Sequence, residues 1–287
     1  MGEDRDPLHD YYELGEEWGR LDSGVGALEL LRTKELILRH LPEAPCEVAD
    51  VGGGPGRYAV WLAELGHRVR LRDVVPLHVE QAIATTRHLD AVDVAVGDAR
   101  SLDLADGSVD VVLLLGPMYH LPVAADRRRA LAEAQRIVRP GGLLFVAAIS
   151  RWAARLHGVL VEQLYVDRPE IVGFLPEIET TGVVAPRHHA SFTGYSHRPE
   201  EFADEVRAAG LELVELVNVE GPAALLGDLA ERLADPGHAA TVVDSARALE
   251  NVPELLGYGP HLLAIARVRH SEASAASRER RAGGPVD

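Results

Sequence analysis

The stretch VADVGGGPGRYAVWLAELGHRVRLRD, Val48 to Asp73, constrains the chain more than any other. A short apolar strand runs into four glycines and a proline. A helical pattern follows, with Tyr58, Trp61, Leu62 and Leu65 at i, i+3, i+4 and i+7, and a second strand, RVRLRD, ends on an aspartate. Strand, tight turn, helix and strand in about 26 residues leave room for a parallel pair with a right-handed helical crossover, and for little else.

The same alternation continues. EVADV, RVRLR, VDVAV, SVDVVLLL and GLLFVAAIS read as buried strands, and Leu131, Ala134 and Val138 mark a helix that RPGG stops at Pro140. Five strands alternating with helices imply a doubly wound, mostly parallel α/β sheet. The reading divides the chain into an N-terminal helical lid (1–41), a Rossmann-like core (42–150), an insertion (151–198), a completion of the core (199–270) and a disordered tail (271–287). In the lid, Leu28, Leu31, Leu36 and Leu38 form an imperfect apolar stripe. The insertion begins as a helix and becomes loop-rich through GVVAPRHHASFTGYSHRP. The completion carries helix Pro199–Ala209 and the strands LELVELVNV and HLLAIARV.

Composition narrows the partners. With 47% apolar residues the 287-residue chain can fill a core, whereas a formal charge of −16 and 5% aromatic residues argue against nucleic acid. Cys46 is the only cysteine, which excludes an internal disulfide and a Cys-rich metal site. No apolar run approaches the ~20 residues of a membrane span, and the acidic N-terminus is no signal peptide, so the expectation is a cytoplasmic protein with no membrane partner. A homodimer is the one assembly entertained.

The glycine loop suits three ligand classes: mononucleotides, dinucleotides and S-adenosylmethionine (SAM). A phosphate-binding P-loop needs Gly-Lys-Ser/Thr, but the chain has Gly56-Arg57-Tyr58. A dinucleotide fingerprint from Gly52 places Arg57 where its third glycine belongs, and Pro55 removes an N–H that a pyrophosphate would use. This option is weaker and stays open. SAM carries no phosphate. Gly52, Gly54 and Gly56 allow close backbone approach for its amino-acid end. Asp73 ends the second strand where an acid meets a ribose, and Asp98 in VGDAR can accept from an adenine amino group.

VADVGGGPG, RLRDVV, VGDAR, VDVVLLLGPMYHL and RIVRPGGLLF together resemble the successive motifs of class I SAM-dependent methyltransferases over residues 45–150. The resemblance implies a seven-stranded sheet of order 3-2-1-4-5-7-6 with strand 7 antiparallel, SAM as cofactor and a small-molecule acceptor. It implies that Asp50, Gly52, Gly54 and Gly56 serve the methionine end, Asp73 and Val74 the ribose side, Asp98 and Ala99 the adenine, and that Leu115 and Gly116 pass beside the sulfonium. GGG-Pro departs from the commoner Gly-Cys-Gly-Thr-Gly but keeps the required glycines.

Methyl transfer needs alignment and exclusion of water, and a general base only if the acceptor loses a proton. GPMYHL, past the fourth strand, marks His120 as the base candidate and Tyr119 as a second catalytic candidate or, equally, a pocket wall; a helix-start histidine bonded to backbone is the competing reading of His120. In the insertion, His188, His189 and Tyr195 are expected to touch the acceptor. His188, His189, His197 and His120 carry no flanking acid pattern, so no metal is expected there. In HDYYELGEEWGRL, Tyr11 is expected at the acceptor and Tyr12 or Arg20, both read as cofactor residues, at the methionine carboxylate; packing of an aromatic face is the alternative. The expected function is methyl transfer to O or N of a small molecule, a secondary metabolite included. Protein or RNA methylation is the rival, disfavoured by acidity and by Gly-Pro-Met-Tyr in place of Asn-Pro-Pro-Tyr; a non-catalytic SAM-binding protein is the other.

Overall fold

The computed structural model describes Tyr12 and residues 19–186 and 193–269. Helix α1 (Gly24–Leu38) precedes strand β1 (Glu47–Val51), α2 (Arg57–Glu64), β2 (Arg68–Asp73), α3 (Pro76–Thr86) and β3 (Val92–Val96). β4 (Val109–Leu114), the one-turn α4 (Pro117–His120), α5 (Ala124–Ile137) and the long β5 (Val138–Ser150) follow. After a π-helical turn (Ala154–Val159) come α6 (Ile171–Thr181), β6 (Val183–Val184), β7 (Gly194–His197), α7 (Pro199–Ala208) and β8 (Glu212–Asn218). α8 (Leu229–Ala234), α9 (Pro236–Leu249) and β9 (His261–Arg267) complete the order.

The main sheet runs β3-β2-β1-β4-β5-β9-β8, with β1 to β5 parallel and β9 antiparallel to both its neighbours. This is the expected doubly wound order, β8 and β9 standing as the sixth and seventh strands. The loop-rich part of the insertion holds one more element. There β6 and β7 form a small antiparallel pair, and β7 hydrogen-bonds to Ile149 and Ser150 where β5 outruns β4. Two-residue and four-residue strands in a His-, Ser- and Gly-rich segment leave no alternating apolar signature.

Side chains alternate between two cores. Ala49, Val51, Val112 and Leu114 face α5 and α7, while Val48, Val111 and Leu113 face α1, α2 and α3. Two expectations need correction. VDVAV does not read out as a buried strand: β3 is the sheet edge, and Val96 is 58% exposed. The Leu28–Leu31–Leu36–Leu38 stripe also splits, because Leu31 and Leu38 lie in solvent. α1 instead turns Leu28, Arg32 and Leu36 inward. Arg32 is tolerated there because its guanidinium is ion-paired with Glu35 and Glu250 and donates to the Val219 carbonyl.

No helix among the described residues is long and apolar enough to cross a membrane. The strand order reverses between β1 and β4, which opens a crevice beyond the carboxyl ends of those strands.

Candidate functional site

The loop after β1 is built around a close backbone approach. Gly52 has φ +72°, and a Cβ there would lie 2.7 Å from the Pro117 ring at the start of α4. A Cβ on Gly53 would lie 2.7 Å from Asp50 Oδ2. Asp50 is itself 1% exposed, and its Oδ2 has no hydrogen-bond partner among the described residues. Burial, and then the nearby Asp73 charge, raise its pKa to about 7. An unfilled carboxylate this deep calls for a cationic or N–H partner. It lines a recess of about 60 Å³ together with Gly54, Leu115, Gly116 and Arg20. The ammonium end of SAM has the charge and donors that Asp50 Oδ2 lacks, so the residues fit the cofactor implied by the sequence.

Asp73, at the end of β2, is 5% exposed. Its Oδ2 accepts from Gly54 N–H at 2.8 Å, so the turn and the acid fix one another. With Val74, Asp98, Ala99 and His78 it lines a second, larger cavity of about 300 Å³. Asp98 does not stand alone there. The Arg100 guanidinium and backbone N–H hold its carboxylate, and these bonds, opposed by burial, keep its pKa low. An adenine amino group would share Asp98 with Arg100. Gly56 has φ +91° and starts α2 without lining either space.

Tyr12 does not join Arg20 in the recess. Its hydroxyl lies 2.6 Å from His120 Nε2, and its ring meets His78 edge-on at 4.6 Å between centroids. Tyr119 packs on His120 at 4.8 Å. Burial lowers the His120 pKa to about 4, against an opposing hydrogen bond at the Thr193 backbone, so the imidazole is neutral at pH 7. Tyr12, Tyr119 and His120 also wall a third space of about 660 Å³, bordered by the start of α1, the π-helical turn and the residues before α8.

Arg20 lines the recess, paired with Glu29 at 2.5 Å. Glu29 belongs to a cluster the sequence did not mark. The fully buried Glu220 accepts from His261 Nδ1 at 2.5 Å and from the His261 backbone N–H at 3.2 Å; Glu29 lies 3.7 Å from the same ring nitrogen. Burial alone would lower the His261 pKa, but the two carboxylates outweigh it and raise it to about 9. Glu29, Glu220 and His261 are the one group among the described residues whose spacing could hold a metal ion. As they stand, the charges satisfy one another.

The insertion residues fare differently. Tyr11, His188 and His189 lie outside the described residues. Tyr195 lines none of the three spaces; Arg127 stacks over its ring at 3.8 Å and Arg151 sits at 5.6 Å. His197 pairs with Glu205 of α7 at 2.9 Å. Sequence reasoning missed His78, Arg100, Glu29 and His261. Only His78 left a trace, one turn past Asp73 on a helix that Pro76 starts.

A family model described as a methyltransferase domain matches residues 49–146. The ubiquinone/menaquinone biosynthesis C-methyltransferase UbiE of Acidiphilium cryptum is 30% identical over 196 residues, covering 66% of this chain and 75% of that protein. An uncharacterized 37.1 kDa protein of a Streptomyces fradiae transposon is 41% identical over 115 residues, but the match spans only 32% of its length and 39% of this chain. Among solved structures, the 1,6-didemethyltoxoflavin-N1-methyltransferase of Burkholderia thailandensis, bound to 1,6-didemethyltoxoflavin and S-adenosylhomocysteine, superposes with a TM-score of 0.57. It is 16% identical and covers 92% of this chain and 85% of its own, a likeness of fold.

Proposed function

The chain belongs to the class I SAM-dependent methyltransferases, and from that premise we propose that it methylates an oxygen or nitrogen of a small molecule held in the 660 Å³ space. The observation that carries this reading is a shared wall. Tyr12, Tyr119 and His120 line both the cavity of Asp73 and Asp98 and the larger space behind it, so a methyl donor in the first faces an acceptor in the second.

Bound SAM supplies a sulfonium methyl that is already activated for in-line displacement. The chain's own residues do the rest. Asp50 and Arg20 hold the amino-acid end, Asp73 the ribose, and Asp98 with Arg100 the adenine. Tyr119 and the enclosing elements exclude water, which leaves alignment as the main contribution to rate. Where the acceptor is a hydroxyl, its proton passes to the Tyr12 oxygen as the Tyr12 proton passes to His120 Nε2. The 2.6 Å contact supports this relay, and the neutral imidazole can accept. An amine that is already deprotonated needs only orientation.

UbiE is named as a C-methyltransferase, so the acceptor atom must be read from product. Label transfer from methyl-labelled SAM into separated small-molecule, protein and RNA fractions of an extract tests the reading. Label in a small molecule, at an oxygen or nitrogen, is expected. Label confined to macromolecules, or at carbon, overturns it.

A further inference from the structure

The bonding of Asp73 carries an inference about how the cofactor's sugar is read. An ionised carboxylate offers about four lone-pair directions. On Asp73 one is taken by Gly54 N–H at 2.8 Å and one by Val75 N–H at 2.9 Å; a third points at His78 Nδ1, 3.3 Å away. About one direction remains, and a ribose diol has two hydroxyl protons to place.

His78 supplies the missing acceptor. It sits in the first turn of α3, 4% exposed, and lines the same cavity as Asp73. Asp73 can only accept, so the proton between them belongs to Nδ1. In the neutral ring this leaves the lone pair on Nε2. That atom is buried and has no hydrogen-bond partner among the described residues. Unpartnered buried nitrogens are rare, because burial removes the water that would otherwise satisfy them.

We propose that His78 and Asp73 read the ribose diol jointly, one hydroxyl donating to the Asp73 carboxylate and the other to His78 Nε2. The inference rests on SAM as cofactor and not on the identity of the acceptor. Asp73 fixes the tautomer that makes His78 an acceptor, and Tyr12, edge-on against His78, closes the far side.

Calorimetry with S-adenosylhomocysteine and its 2′-deoxy and 3′-deoxy analogues, on wild type, H78F and H78Q, tests it. A neutral hydrogen bond corresponds to roughly three- to tenfold in affinity. H78F should bind S-adenosylhomocysteine about three- to tenfold more weakly and should no longer distinguish it from one of the two deoxy analogues. H78Q, which keeps an acceptor, should recover part of both. Equal losses for all three ligands in H78F would overturn the proposal. Nitrogen NMR of imidazole-labelled wild type gives a reading independent of variant folding: the His78 Nε2 resonance should move on ligand binding, and an unmoved resonance overturns the proposal too. If D73A binds S-adenosylhomocysteine as wild type does, the assignment of the cavity to the ribose fails, a different result from failure at His78 alone.

Discussion

The Tyr12 hydroxyl lies 2.6 Å from His120 Nε2, across 108 residues of chain. The contact joins a residue ahead of the sheet to one just past β4, at the wall between the two larger spaces. If it is the proton path, H120A and Y12F should each cut the single-turnover rate on a hydroxyl acceptor by ~10²–10⁴-fold while leaving S-adenosylhomocysteine affinity nearly unchanged. The His120 pKa near 4 fixes the pH dependence. The neutral base persists down to about pH 5, so the wild-type rate should stay level from pH 8 to 5 on this account and fall only below. A loss under tenfold in both variants would remove the relay.

Asp50 sets a second pH dependence, on binding. With its pKa raised to about 7, the carboxyl is half protonated near neutrality, and a cationic ammonium group favours the ionised form. Binding should therefore release a proton. Affinity for S-adenosylhomocysteine should fall by up to tenfold per pH unit below 7 and level off above it. Calorimetry in buffers of different ionisation enthalpy counts the released proton. D50N should bind more weakly at pH 8 and lose the pH dependence.

His261 makes stability depend on alkaline pH. Its folded pKa of about 9 lies above the unfolded value of 6.5. The stabilisation from its ion pairs is thus complete below about pH 6.5 and is lost as the pH rises through 9. The melting temperature of wild type should drop between pH 7 and 10 more than that of E220Q. Proton NMR should place the His261 titration near 9 in wild type and lower in the variant. A wild-type titration near 6.5 would contradict the cluster.

Arg32 tests how a charged residue is held in the core. Its side chain is fully buried against Glu35 and Glu250, and Glu250 also pairs with Arg39. R32A leaves the buried Glu250 with one cation fewer and should cost about 3–5 kcal/mol in urea denaturation. R32M, which refills the volume, should cost less than R32A only if E250Q accompanies it.

The glycine loop and the acids at the strand ends were legible because their determinants are local. A strand of period two fixes where β2 ends, so Asp73 could be placed at the sheet's carboxyl edge from sequence, and the Gly52–Gly56 loop and Asp98 fell in order beside it. The pairings across the larger space were not. His261 ends up beside Glu29, far earlier in the chain, and nothing in HLLAIARV says that its first residue will meet a buried glutamate. Tyr195, read as an acceptor contact, is instead claimed by two arginines from different elements.

By itself the sequence determined the alternation of strands and helices and the residues at the strands' carboxyl ends, because periodicity and turn chemistry act over a few neighbours; the order of the sheet followed only from the resemblance of its motifs to a known family. Only the tertiary structure decided which face of α1 is buried, which histidines meet which carboxylates, and that Tyr12 reaches His120 and not the recess of Arg20. Those pairings depend on how distant elements pack, and burial then sets the charge each group carries.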